Sequence, residues 1–310
     1  MGRATRDAYG DTLKALGAKY PEIVVLDADL SASTKTQVFA KEFPNRFFNC
    51  GIAEGNMMSV AAGLAAAGKT VFASTFAVFG AGRAYEQIRN SICYPRLNVK
   101  VALTHAGITV GEDGATHQML EDIALMRVLP NMTVIVPADA AETEAALRWA
   151  AAYNGPVYIR MGRAKCDDVT NPGDFFTPGK CTTLCDGNDL TIIACGIMAG
   201  KAVAAAKLLQ EEGIAARVLN MSSIKPIDED AILKAAKETG AILTAEEHSV
   251  IGGLGSAVAE VVVKGNPVPM AMLGLNDTFG ESGKSDDLLE KYGLTAEHIR
   301  DMAKELMVKK

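Results

Sequence analysis

Short apolar runs that read as strands alternate with helical patterns along the chain, and this alternation restricts the possible fold more than any other feature. "PEIVVLDADL" is an apolar run closing in Asp27-Ala28-Asp29, as suits the carboxyl end of a buried parallel strand. "KTVFAST", "NVKVALTHA", "NMTVIVPAD" and "GPVYIRMG" continue the series. "RDAYGDTLKALGAKY", "GRAYEQIRNSICY", "QMLEDIALMRVL" and "DAAETEAALRWAAAY" supply helices between them. This pattern predicts an α/β fold, a mainly parallel sheet with helices on both faces. In such sheets ligands sit beyond the carboxyl ends of the strands.

Around residues 164–188 the alternation gives way to a stretch gathering Pro, Gly, Asp and Thr, which reads as a connection. A second series follows: "DLTIIACG", "AGKAVAAAKLLQEEG", "AARVLNMSS", "DEDAILKAAKETG", "AILTAEE" and "GLGSAVAEVVVKG". The 310 residues exceed one average domain. Two α/β domains are therefore expected, 1–165 and a smaller one at 189–310, joined by a linker over 166–188. "IGGLGSA" near residue 251 lacks the full glycine fingerprint of a nucleotide loop.

Composition excludes several function classes. With 49% hydrophobic and 22% charged residues the chain can bury substantial cores. A net charge of -6 argues against general binding to nucleic acid or anionic membranes, so any anionic substrate must be met by a few placed arginines. The start is charged from the third residue, unlike a secretory signal. The most apolar stretch, "MMSVAAGLAAAG", is far short of the ~20 residues a bilayer requires. The six cysteines (50, 93, 166, 181, 185, 195) form no Cys-x-x-Cys pair and read as reduced thiols. A soluble, cytoplasmic protein is expected.

Three stretches can carry chemistry. In "GIAEGNMMSVAAGLAAAG" one acid, Glu54, precedes an apolar helix pattern. An acid in a first turn is favoured by the helix dipole, by about 0.3 to 1 kcal/mol; alternatively, apolar surroundings raise its pKa and favour proton sharing with a ligand. In "THAGITVGEDGATHQMLEDIALMR", His105 ends a strand, glycines 107, 111 and 114 space out Glu112 and Asp113, and His117 begins a predicted helix. Two of the four histidines thus share one glycine-rich loop, poor for a core and suited to a polar ligand. The spacing does not favour zinc, and Mg2+ prefers oxygen donors. In "STFAVFGAGRAYEQIR", Phe76 and Phe79 follow a strand, where they can pack in a core or stack on a flat heterocycle.

Together "GIAEGNM", "STFAVF…GRAYEQIR", the His/Glu-Asp-Gly/His loop and "VYIRMGR" resemble the pyrimidine-binding and C-terminal domains of transketolase, over essentially the whole chain. The resemblance implies thiamine diphosphate, whose 4′-amino group, as the imino tautomer, deprotonates C2 of the thiazolium ring. Glu54 matches the glutamate hydrogen-bonded to N1′ of the aminopyrimidine, for which an apolar setting is expected. Phe79 with Phe76 matches an aromatic shelf for that ring, with Asp29 and Ile52 expected beside the cofactor. His105 and His117 match catalytic histidines around the thiazolium and the donor sugar, and Asp113 an acid reading the C2 hydroxyl. Arg163, Arg6 and Ser33 match phosphate contacts. A third aromatic residue, common in the family, is replaced here by Gly80-Ala81-Gly82.

A full transketolase is about twice this long, and its Gly-Asp-Gly…Asn pattern for Mg2+ and diphosphate is missing here. Two explanations follow, a naturally split enzyme or a fragment of a longer chain, and the self-contained apolar patterning favours the split enzyme. This chain would be the C-terminal (beta) subunit, and a partner subunit would hold most of the diphosphate and the Mg2+ (or Ca2+) in an α2β2 assembly. The expected reaction is transfer of a two-carbon ketol unit from a ketose phosphate to an aldose phosphate, within the pentose phosphate pathway. The C-terminal domain is expected to serve subunit contacts. Alternatives are a deoxyxylulose-5-phosphate synthase-like subunit, a 2-oxoacid dehydrogenase beta-like subunit, or a non-catalytic scaffold.

Overall fold

The computed structural model describes residues 2–310. Twelve strands follow in chain order: β1 (Ile23–Asp27), β2 (Phe47–Asn49), β3 (Thr70–Ser74), β4 (Val99–Leu103), β5 (Thr133–Ile135), β6 (Val157–Arg160), β7 (Thr182–Cys185), β8 (Leu190–Ala194), β9 (Ala216–Asn220), β10 (Ser223–Lys225), β11 (Ile242–Ser249) and β12 (Met270–Leu275). They build a seven-stranded sheet ordered β10-β5-β6-β4-β3-β1-β2 and a five-stranded sheet ordered β12-β11-β8-β9-β7. Pairing is parallel throughout except for β10 on β5 and β7 on β9. The expected α/β class with two mainly parallel sheets flanked by helices is therefore observed.

The strands that read as mainly apolar runs are buried on both faces: every residue of β1, β3, β4, β6 and β8 is buried, including the charged Asp27, Lys100 and Arg160. Helices Thr5–Lys19 and Ala140–Ala152 cover one face of the larger sheet through Leu13, Leu16, Ala146 and Leu147. The opposite face packs on helix Glu54–Ala66 through Met57, Met58 and Ala61, and this core continues into Ile193, Leu219, Ile232 and Val258 of the second half. Apolar burial is thus continuous across the two sheets.

Several local expectations are corrected. His117 does not begin a helix; the helix runs Asp122–Val128, and residues 114–118 form a turn because Gln118 N and His117 N both return to Gly114 O. The pattern after Phe79 is not a regular α-helix, since wide π-turns span Val78–Arg83 and Ile88–Cys93. The 166–188 stretch includes β7, which pairs with β9, and β10 leaves the second series to edge the first sheet. At "IGGLGSA" the N-terminus of helix Leu254–Gly265 is filled by Glu246, whose carboxylate accepts from Leu254 N at 2.6 Å and Gly255 N at 2.8 Å. No described helix is long and apolar enough to cross a membrane.

Candidate active site

The carboxyl ends of β1, β3, β4 and β6 share one edge of the larger sheet. At the end of β1, buried Asp27 accepts from Leu30 N (2.6 Å), Thr34 Oγ1 (2.7 Å) and Thr36 Oγ1 (2.9 Å). These bonds fold residues 28–36 into a fixed turn and set Ser33, whose carbonyl accepts from Arg6 Nη1 at 3.2 Å. Asp29 is exposed and left-handed (φ 64); it is tied to Asn49, whose Nδ2 donates to Asp29 Oδ1 at 3.0 Å.

Gly51, at φ +66, turns the chain out of β2 towards helix Glu54–Ala66. Ile52 projects outward, 78% exposed, whereas Glu54 is only 2% exposed. The apolar setting expected for Glu54 is corrected: its Oε2 accepts from Arg83 Nη1 at 2.8 Å. Arg83, 53% exposed, lies with its guanidinium 4.6 Å over the Phe79 ring. Oε1 of Glu54 accepts no hydrogen bond among the described residues.

The aromatic and imidazole rings form one cluster. Phe76 stacks on His105 at 3.7 Å between centroids and lies 5.9 Å from Phe79 with nearly parallel rings. His117 meets Phe79 edge-on at 5.3 Å. His105 takes φ 57, unusual for a non-glycine residue. Its Nε2 lies 3.2 Å from Arg6 Nη1, which can only donate, so Nε2 is the acceptor and Nδ1–H faces Thr104 Oγ1 at 2.8 Å. Burial, then Arg6, Arg163, His117 and Lys35, push the His105 imidazole down to about 3, so it is neutral.

Arg6 and Arg163 mark an anion-seeking end. Burial and the nearby Arg163 lower the Arg6 guanidinium despite Asp7, and Arg6 Nε is buried without a partner among the described residues. Arg163 donates to Val110 O and to Glu112 Oε2, the latter at 3.0 Å. Lys35, left-handed at φ 72, adds a further cation, its Nζ 3.3 Å from Asp7. Asp113 closes the 3-10 turn Ile108–Asp113, exposed and without a hydrogen-bond partner among the described residues.

Residues 105–118 are braced from the second half of the chain. Glu247 Oε1 accepts from Thr109 N at 2.7 Å, Ser285 Oγ donates to Thr109 O at 2.9 Å, and Gln118 Nε2 reaches Glu281 O at 2.8 Å. The sequence reading missed Arg83, Lys35, Asp27 and Glu247. Arg83 alone carried an available signal, its place one turn after Phe79 in the quoted motif.

So arranged, the strand ends offer a flat ring a stacking surface with a hydrogen-bond acceptor nearby, and offer an anion a pair of guanidinium groups. This defines an α/β protein with a strand-end site for a heterocyclic or anionic ligand.

Comparison with known proteins narrows that class. The transketolase pyrimidine binding domain matches residues 1–167, and the transketolase C-terminal domain matches residues 179–299. A protein of Methanocaldococcus jannaschii, provisionally described as a transketolase C-terminal section, is 53% identical over 99% of this chain and 97% of its own length. A 6-deoxy-6-sulfo-D-fructose transketolase subunit from a Clostridium species is 45% identical over 98% of this chain and 95% of its own. A solved split-gene transketolase, described as an inactive beta4 tetramer, superposes at TM-score 0.94 with 60% identity over all of both chains. The chain belongs to the transketolase family.

Membership implies thiamine diphosphate. The aminopyrimidine end suits Glu54, with its unengaged Oε1, together with the Phe76 and Phe79 rings. Among the described residues no group of three His, Cys, Asp or Glu is placed to hold a metal ion.

Proposed function

We propose that this chain is the C-terminal subunit of a two-chain transketolase that moves a two-carbon ketol unit from a ketose phosphate to an aldose phosphate. A partner subunit would supply the diphosphate and Mg2+ site, in an α2β2 complex. The observation carrying this reading is Glu54, buried at a helix start with one carboxylate oxygen unengaged and the other joined through Arg83 to the Phe79 shelf. When bound, thiamine diphosphate supplies a carbon nucleophile.

The chain's own residues would do the rest. Glu54 would share a proton with the pyrimidine nitrogen, each holding one end of the hydrogen bond, and Phe76 and Phe79 would exclude water from that ring, with Asp29 and Ile52 at its margin. Neutral His105 exchanges hydrogen bonds with sugar hydroxyls, as does His117, and Asp113 reads the C2 hydroxyl. Arg6, Arg163 and Ser33 hold the phosphate. The unpartnered Arg6 Nε and the mutual repulsion of two guanidiniums support an anion there. The six cysteines are free, which suits the reducing cytoplasm, and the proposed reaction would place the subunit in the pentose phosphate pathway.

The test is co-purification of the partner, then assay of the complex with xylulose 5-phosphate and ribose 5-phosphate. Glu54→Gln should leave assembly intact and reduce ketol transfer by about a hundredfold or more. Turnover equal to wild type would remove Glu54 from the mechanism. Because one relative is a sulfo-fructose transketolase subunit, a sulfo-sugar belongs in the same substrate panel.

A further inference from the structure

We propose that Arg83 is a positioning residue for Glu54: it fixes Oε2 and leaves Oε1 as the one oxygen free to share a proton with the cofactor's pyrimidine nitrogen. The inference rests on the thiamine diphosphate reading above and adds to it a residue that neither the family resemblance nor the sequence motifs assigned.

Three observations carry it. First, the contact is direct and unshared: Arg83 Nη1 donates to Glu54 Oε2 at 2.8 Å, and neither Glu54 oxygen has another partner among the described residues. A carboxylate only 2% exposed with no counter-ion is expensive to hold, and its plane would be free to rotate away from a ligand. Second, the guanidinium is itself located, 4.6 Å over the Phe79 ring, a cation–π contact that ties the acid to the aromatic shelf. Third, the backbone that presents it is irregular. Residues Val78–Arg83 form a π-turn in which Ala84 N returns to Phe79 O at 3.2 Å. Such turns cost stability and recur at functional sites. This one carries both Phe79 and Arg83.

A rival reading makes Arg83 a plug that occupies the cofactor's seat and must leave. The two readings differ in sign. As a positioning residue Arg83 tightens cofactor binding; as a plug it weakens it.

The experiment is calorimetric titration of the assembled complex with thiamine diphosphate at fixed Mg2+, for wild type, Arg83→Met, Arg83→Lys, Glu54→Gln and the Glu54→Gln/Arg83→Met double variant. Arg83 is half exposed, so its substitution leaves the core intact. Arg83→Met should weaken binding by about tenfold or more, Arg83→Lys should recover most of the loss, and Arg83→Met should add little on top of Glu54→Gln. Equal or tighter binding by Arg83→Met overturns the proposal, as does an undiminished penalty in the Glu54→Gln background. A wild-type complex that takes up no thiamine diphosphate overturns the cofactor reading and this proposal with it. A wild type that binds beside an Arg83→Met that binds equally well overturns this proposal alone.

Discussion

A neutral imidazole at position 105 leaves a trace in acid. Arg6, Arg163, Lys35 and His117 all disfavour a charge on His105, whose Nδ1 is paired with Thr104 Oγ1, so protonation inside the fold meets repulsion as well as burial. The folded imidazole stays neutral down to about 3, whereas an unfolded histidine takes its proton near 6.5. Between those values the unfolded state binds the extra proton, so stability is highest above pH ~6.5 and falls as the pH drops towards ~3. His248, lowered to about 4 by burial, acts with the same sign; Glu246, raised to about 7 by burial, acts oppositely between its unfolded value and 7. A single variant separates these contributions. His105→Gln should flatten the stability slope between pH ~6 and ~4 by up to about 1.4 kcal/mol per pH unit, measured by urea unfolding across that range. An unchanged slope would mean that the imidazole is solvated and charged. None of this was legible in the sequence: it offered two histidines in one loop, but the three cations around His105 come from positions 6, 35 and 163.

Loop 105–118 shows which glycines the backbone requires. Gly107 has φ +85, and a Cβ there would fall 2.2 Å from the buried Glu247 carboxyl that holds Thr109. Gly63, inside helix Glu54–Ala66, has nothing within 4 Å. Gly107→Ala should therefore destabilise by about 3 kcal/mol or more, while Gly63→Ala should stabilise by up to about 1 kcal/mol. Thermal or urea unfolding of both variants checks the opposite signs, and two similar effects would contradict the close approach at Gly107. At this scale the elements differ in how readily they are read. Parallel strands were legible because burial on both faces leaves a nearly continuous apolar run, as in residues 23–26 of β1. The π-turns at Val78–Arg83 and Ile88–Cys93 were not, because one extra residue per turn barely changes a hydrophobic pattern. His117 read as a helix start because its polar loop runs directly into apolar residues; the structure spends residues 114–118 on a turn and bridges Met119 to Ala106 before the helix at Asp122. Glu54 and Arg83 lie 29 residues apart, beyond the reach of any local pattern.

Across the whole molecule, the two halves are joined by more than an apolar core. Arg160, at the end of β6, donates Nε to Asp122 Oδ2 at 2.7 Å and Nη2 to the Glu247 carbonyl of β11 at 2.9 Å, while Tyr158 OH donates to the same Asp122 oxygen at 2.5 Å. Arg160 and Asp122 are 6% and 0% exposed. Burial alone would lower the Arg160 guanidinium, but Asp122 and Glu247 outweigh it and hold it raised and charged. The expected role of the C-terminal domain in subunit contacts is thus joined by an internal one, since Glu247 also braces the loop that carries His105 and Asp113. A buried pair of this kind is costly to break on one side and cheap to replace whole. Asp122→Ala should strand the guanidinium and destabilise by about 3 to 5 kcal/mol, whereas Asp122→Leu combined with Arg160→Met should lose markedly less. Urea unfolding of the free chain distinguishes them. If the double variant loses as much as the single, the interface depends on the charges themselves; if the single loses almost nothing, water reaches Arg160 and the junction between the halves is looser than a core.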